Sequence, residues 1–143
     1  MQLTRSTDLA LRVMLLVAVD GRRTTVAGLA ADLGVPATHM AKLVQRLRAL
    51  GLLATSRGRS GGVALAPGAL DATVGPVVRG LEGDDEVVEC DRSACPLRPG
   101  CLLREALGRA QEAFYAELDG VALRDLVRPP ASATLLSLTA TRP

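Results

Sequence analysis

The chain has 143 residues, is 48% apolar and 22% charged, and carries a formal net charge of +2. This is one domain's worth of sequence, with enough apolar residues for a core and too little net charge for a disordered chain. Its only aromatic residues are Phe114 and Tyr115, too few for the stacking platforms of an RNA or single-strand binder or for an aromatic-lined substrate pocket.

Residues 3–19 read as a first helix, with Leu9, Val13, Leu16 and Val17 at helical spacing, Thr4 as its N-cap and Asp20-Gly21 as its stop. Thr24 or Thr25 opens a short helix, 26–33, with Leu29, Ala30 and Leu33 inward, ended by Gly34 before Pro36. A third helix, about 38–49, places Met40, Leu43, Val44, Leu47 and Leu50 on one face, and Gly51 closes it. Residues 52–56 and 63–66 read as two short strands around Arg57-Gly58-Arg59-Ser60-Gly61-Gly62. A short helix at 73–81, a loop at 82–100 and a strong helix at 102–118 follow, and from Arg128-Pro129-Pro130 onward a tail is expected. The fold class is mainly α with a small β-hairpin. Four regions are expected: 1–82, a loop at 83–101, a long helix at 102–120, and a C-terminal segment at 121–143 that is partly tail. No apolar run approaches the roughly 18 residues of a membrane-spanning helix. Asp8 near the start, with no small-residue cleavage site, predicts no signal peptide.

Sixteen arginines against one lysine, with no Ile or Asn, is first a genomic composition bias, so the placement of charge says more than the count. Residues 1–66 carry nine Lys/Arg against three Asp/Glu, whereas residues 67–143 carry eight against twelve. A basic front half and an acidic back half point to a polyanion partner for the front half. The front half also has helix–turn–helix spacing, in which the second helix enters the major groove of duplex DNA. Burying Met40, Leu43 and Leu47 turns Thr38, His39, Lys42, Gln45 and Arg46 outward, an acid-free set of donors for phosphates and base edges. The hairpin tip adds Arg57 and Arg59, suited to a narrow minor groove, among glycines that permit close backbone approach. His39, the only histidine, reads equally as a DNA contact or a plain surface residue. No nucleophile–base pair is present, which argues against a hydrolase.

All three cysteines fall in Cys90-x4-Cys95-x5-Cys101, among Arg, Asp, Ser and Pro. An odd number cannot all pair within the chain, and three thiols on one polar loop point to soft-metal ligands. An iron–sulfur cluster tolerates this irregular spacing, and Cys95-Pro96 echoes the Cys-Pro of ferredoxin runs. Arg92, Arg98 and Arg104 would offset a cluster's charge. Zinc lacks a local fourth ligand. Thiol–disulfide sensing remains open, as does an iron–sulfur carrier or small redox protein, which would not need the basic front half.

These residues together resemble a known family. Leu3-Thr4 with Asp8-Leu9-Ala10-Leu11-Arg12, then Val35-Pro36-Ala37-Thr38-His39 with Lys42, Leu50-Gly51-Leu52, the Arg57–Gly62 tip and the three cysteines are similar to the iron–sulfur winged-helix regulators that include IscR and NsrR. The likeness is strongest to the nitric-oxide-sensing NsrR branch and runs to about Leu126. It implies a cytoplasmic winged helix–turn–helix repressor, homodimeric through a long dimerisation helix that carries Leu103, Leu107, Ala110 and Phe114. It also implies a pseudo-palindromic operator, nitric oxide as effector, and a 4Fe–4S cluster on Cys90, Cys95 and Cys101, with Asp8 of the other subunit as fourth ligand. The IscR branch has a histidine ligand three residues after the third cysteine, where this chain has Arg104, which cannot ligate. The first cysteine spacing is four residues where the family usually has five, a loss of at most about 3.5 Å of reach. The same cysteines would also serve a sensor of cluster supply, oxygen or redox state. Without the resemblance, Asp8 reads as a favourable first-turn acid paired with Arg12.

Overall fold

The computed structural model describes residues 2–21, 23–58, 61–83, 85–88, 90 and 95–139, with side chains to residue 137. Arg59 and Arg92 lie outside the described residues. Helix α1 (Arg5–Asp20) starts at the expected cap: the Thr4 hydroxyl accepts the Thr7 N–H at 3.2 Å, and Gly21 ends the helix in the left-handed region. Helix α2 (Val26–Asp32) is capped by Thr25, whose hydroxyl accepts the Gly28 N–H. Helix α3 (Ala37–Ala49) follows Pro36 directly. Strands β1 (Leu53–Ser56) and β2 (Gly62–Leu65) form an antiparallel hairpin with Leu53 opposite Leu65 and Ser56 opposite Gly62. Thr24 completes this sheet rather than the α2 cap, exchanging backbone hydrogen bonds with Val63 at 2.9 and 2.7 Å. A 3-10 turn (Ala69–Asp71) leads into α4 (Val74–Glu82), and α5 (Leu102–Asp119) lies beyond the cysteine loop. The class is as expected, mostly helical with one hairpin.

The sheet explains Gly61 and Gly62 differently from a duplex approach. A Cβ on Gly62 would sit 2.5 Å from the Thr24 carbonyl oxygen, and one on Gly61 2.5 Å from that of Ser56. The chain's own backbone occupies the space that a side chain needs.

The main core gathers the apolar faces of α1, α2, α3, the hairpin and α4. Val13, Met40 and Leu47 are fully buried, and so are the other α3 residues expected inside except Leu50, which is 39% exposed beyond the helix end. A smaller cluster of Val74, Val78 and Tyr115 joins α4 to α5. There the Arg79 guanidinium lies 4.1 Å from the centre of the Tyr115 ring and grips Glu112 with two hydrogen bonds of 3.1 Å. Gly75 faces α5 at this crossing, where a Cβ would displace the Asp119 carboxylate and sit 3.0 Å from the Asp119 backbone nitrogen.

The C-terminal segment departs from expectation. Residues expected as a tail from Arg128 onward include helix α7 (Ala131–Thr139), and α6 (Leu123–Leu126) precedes it. Proline ends one helix and starts another here. Leu123 is buried and Leu135 packs on the main core, with α7 lying against α1. Burial of scattered leucines decided the outcome where local periodicity was weak.

Candidate nucleic-acid interface and cysteine loop

Helices α2 and α3 meet at a tight turn through Gly34, with the Val35 N–H bonded to the Ala30 carbonyl at 3.0 Å. The core grips α3 through Met40, Leu43, Val44 and Leu47. At about 100° per residue, Thr38, Lys42 and Gln45 then fall within about 60° of one another on the opposite side. All three are exposed, and Arg57 is exposed at the hairpin tip. This much of the expected reading face is assembled.

His39 and Arg46, two turns apart, share one edge of that face instead. The His39 Nε2 is buried without a hydrogen-bond partner among the described residues. Arg46 donates through Nη2 to the Leu81 carbonyl at 2.5 Å and through Nη1 to the Ser6 hydroxyl at 3.2 Å. Its guanidinium is turned toward the ends of α4 and α1. Sequence reading missed Arg23, which is exposed beside the hairpin and donates to the Ser56 hydroxyl. Its place in the turn before Thr24 gives no periodic signal, and only the pairing of Thr24 with Val63 brings it there.

The start of α1 is tied to the end of α4. Glu82 accepts the Thr4 N–H at 2.9 Å. Burial raises the Glu82 carboxyl pKa. Hydrogen bonds from the Thr7 hydroxyl and from the Thr4 N–H and hydroxyl outweigh it, aided by the Arg46 charge, and hold the carboxyl below its ordinary range. Asp8, one turn into α1, accepts from Arg12 at 3.0 Å in a largely exposed i,i+4 pair.

The three cysteines are free and half-buried on the segment joining α4 to α5, and Cys101 is the N-cap residue of α5. The Cys95 N–H bonds to the Cys90 carbonyl at 3.3 Å. Burial pushes the Cys90 thiol up, reinforced by the charge of Cys95 and a side-chain hydrogen bond with it. Cys90 therefore rests as a neutral thiol at neutral pH, and a thiophilic metal must displace its proton. Arg104 takes Glu86 in a two-pronged ion pair beside a pocket of about 290 Å³ lined by Val87, Val88, Cys101 and Leu107. Among the described residues no three donors converge on one metal-sized point. In chemical type the set fits a soft-metal cluster: three thiols on one loop, two of them in side-chain contact.

Of the residues expected on the long helix, Leu103 is 66% exposed, Ala110 is exposed, and Leu107 and Phe114 are half-buried. Among the described residues of α5 only Tyr115 is buried. No helix among the described residues is long and apolar enough to cross a membrane.

A helix–turn–helix followed by a β-hairpin that flanks it defines a winged-helix DNA-binding architecture. The profile of the Rrf2 family, described as "Iron-dependent Transcriptional regulator", matches residues 3–129, and the chain belongs to that family of transcriptional regulators. It is 48% identical to the HTH-type transcriptional repressor NsrR of Streptomyces coelicolor over 143 residues, 97% of each chain. Among solved structures it is similar to CymR (YrzC), the global cysteine regulator of B. subtilis (28% identity, 93% of this chain and 98% of that one, TM-score 0.66). Staphylococcus aureus CymR shares the fold (23% identity, 87% and 97% covered, TM-score 0.67).

Proposed function

We propose that this chain is a homodimeric, cytoplasmic transcriptional repressor whose cysteine loop holds a 4Fe–4S cluster and whose effector is nitric oxide. The carrying observation is the placement of Cys90, Cys95 and Cys101 on the segment between a winged-helix domain and a helix with exposed leucines. The 48% identity to a repressor named NsrR supports the repressor role. When bound, the cluster supplies iron sites open to a small molecule such as nitric oxide.

The three cysteines would hold the cluster, and Asp8 would be given to the loop of the other subunit. Its pair with Arg12 is largely exposed, so giving it up costs about 0–1 kcal/mol. Leu103, Leu107, Ala110 and Phe114 would face their counterparts across the dimer. That places two reading helices about one DNA turn, roughly 34 Å, apart and selects a pseudo-palindromic site. On each, Thr38, His39, Lys42, Gln45 and Arg46 were expected to meet DNA, with Arg57 and Arg59 from the hairpin. The fold favours Thr38, Lys42, Gln45 and Arg57, all exposed; Arg46 is exposed too, but its guanidinium is bonded to the Leu81 carbonyl and the Ser6 hydroxyl.

Anaerobic purification with iron and sulfide assays and a visible spectrum tests the cluster, and nitric-oxide titration against DNA binding tests the effector. The expected result is a coloured protein that loses DNA as nitric oxide is added and loses its iron in Cys95→Ser. A colourless, iron-free protein that binds DNA with undiminished affinity would overturn the reading. Release by oxygen or iron chelation but not by nitric oxide would reassign the effector to oxygen or cluster supply.

A further inference from the structure

We infer that Arg46 is a positioning residue that locks the reading helix to the two elements flanking the cysteine loop, rather than a contact to DNA. The inference rests on the proposed function and deepens its regulation.

Arg46 lies on the edge of α3, about 60–80° from the Thr38, Lys42, Gln45 face, with its guanidinium divided between two other helices. One branch caps the Leu81 carbonyl in the last turn of α4, and the other meets Ser6 in the first turn of α1. The last carbonyls of a helix have no intrahelical donor, and a cation there also suits the helix dipole. Next to this node Glu82 accepts the Thr4 N–H and holds the same first turn of α1. The ends of three helices are therefore cross-linked at one point. Glu82 is the last residue of α4 before the cysteine segment, and Asp8 is one turn into α1. A shift of the loop that pulls on the end of α4, or of Asp8 that pulls on the start of α1, reaches the reading helix through a two-pronged bond. His39, on the same edge, has its Nε2 buried without a hydrogen-bond partner among the described residues, and Arg46, exposed along its stem, is held through its guanidinium two turns further on.

The test compares full-length wild type, Arg46→Ala and Arg46→Lys on a duplex site that the wild type selects from a random-sequence library. Each is measured over a range of salt concentrations, with the protein reconstituted anaerobically with iron and sulfide and with the iron-depleted protein. Lysine keeps a point charge for a phosphate but has no two-pronged fork. As a lock, Arg46 is irrelevant to the salt dependence: both variants keep the wild-type slope, and in both the ratio of loaded to depleted affinity falls about five-fold. Hydrogen exchange in the iron-depleted, DNA-free chain should quicken in the first turn of α1 and the last turn of α4 in both variants. A slope reduced by about two per dimer, one for each Arg46, in Arg46→Ala and restored in Arg46→Lys, with the affinity ratio unchanged, would identify a phosphate contact and overturn the lock. So would unchanged exchange at both helix ends. A wild type that selects no duplex, or binds equally with and without iron, refutes the proposed function instead, and the exchange result still decides the role of Arg46. Should Arg46→Ala fail to fold, Arg46→Lys still decides through the affinity ratio and the hydrogen exchange, both of which change if Arg46 is a lock and neither of which changes if it is a phosphate contact.

Discussion

The front of the molecule and its long rear helix use apolar residues in opposite ways. In α1 to α4 the leucines, valines and methionines at helical spacing are spent within the chain: Val13, Met40, Leu47 and Val78 have no exposed surface. In α5, an 18-residue helix, only Tyr115 is buried, while Leu102 is 77% and Leu103 66% exposed. The front is a finished hydrophobic core. The rear presents apolar surface that a lone domain leaves in water only at a cost, which is the mark of a surface built to meet another. Charge divides the same way, basic in residues 1–66 and acidic beyond, so the half that closes on itself is also the half suited to a polyanion.

The largest expected effect tests the rear. Leu103→Asp places a charge in the proposed dimer surface but disturbs no core. Sedimentation should show monomers, and DNA affinity should fall at least about a hundred-fold as the two half-sites lose their linkage. Thermal stability should hardly move. A wild type that sediments as a monomer and still binds DNA tightly would show that the exposed leucines serve something else. Next comes the front. Leu47→Ala removes a fully buried side chain from α3 and should cost about 3 kcal/mol in urea unfolding, with no change of oligomeric state in the fraction that remains folded. A smaller test is Thr4→Ala, which takes the cap from α1 and should cost about 1 kcal/mol. An unchanged midpoint would mean that the Thr4 N–H bond to Glu82 alone fixes that end.

The same contrast explains what the sequence made legible. In the front, periodicity, caps and turn glycines agree, so Thr4, Gly21, the Gly34 turn and the buried face of α3 were readable residue by residue. Two features there depend on neighbours distant in sequence. Arg46 looks like any outward arginine until α4 brings the Leu81 carbonyl to it. Thr24 looks like a cap until β2 pairs with it. In the rear, the cysteines marked a candidate soft-metal site by residue type alone, since three thiols on one polar loop suit a thiophilic metal. Helix α7 was not legible, since its hold on α1 comes through Leu135 and tertiary packing rather than through a regular apolar stripe.

The smallest effect concerns the joint between the halves, where Glu82 at the end of α4 holds the first turn of α1. Its carboxyl is depressed in the folded chain because the Thr7 and Thr4 hydrogen bonds and the Arg46 charge together outweigh its burial. A carboxyl lowered on folding contributes stability above its unfolded value, and that contribution is lost as pH falls through the folded value. The wild type should therefore lose stability in acid, below the ordinary carboxylate range, relative to Glu82→Gln, which has no proton to gain there. The carboxyl is partly solvated and screened, so the difference should be at most about 0.5 kcal/mol. Urea midpoints at pH 7 and near pH 3 measure it. Above the carboxylate range the two proteins should differ by a constant amount, and below it their curves should converge. Parallel curves throughout would show that the carboxyl titrates alike in the folded and unfolded chain and adds no charge-dependent hold to the joint.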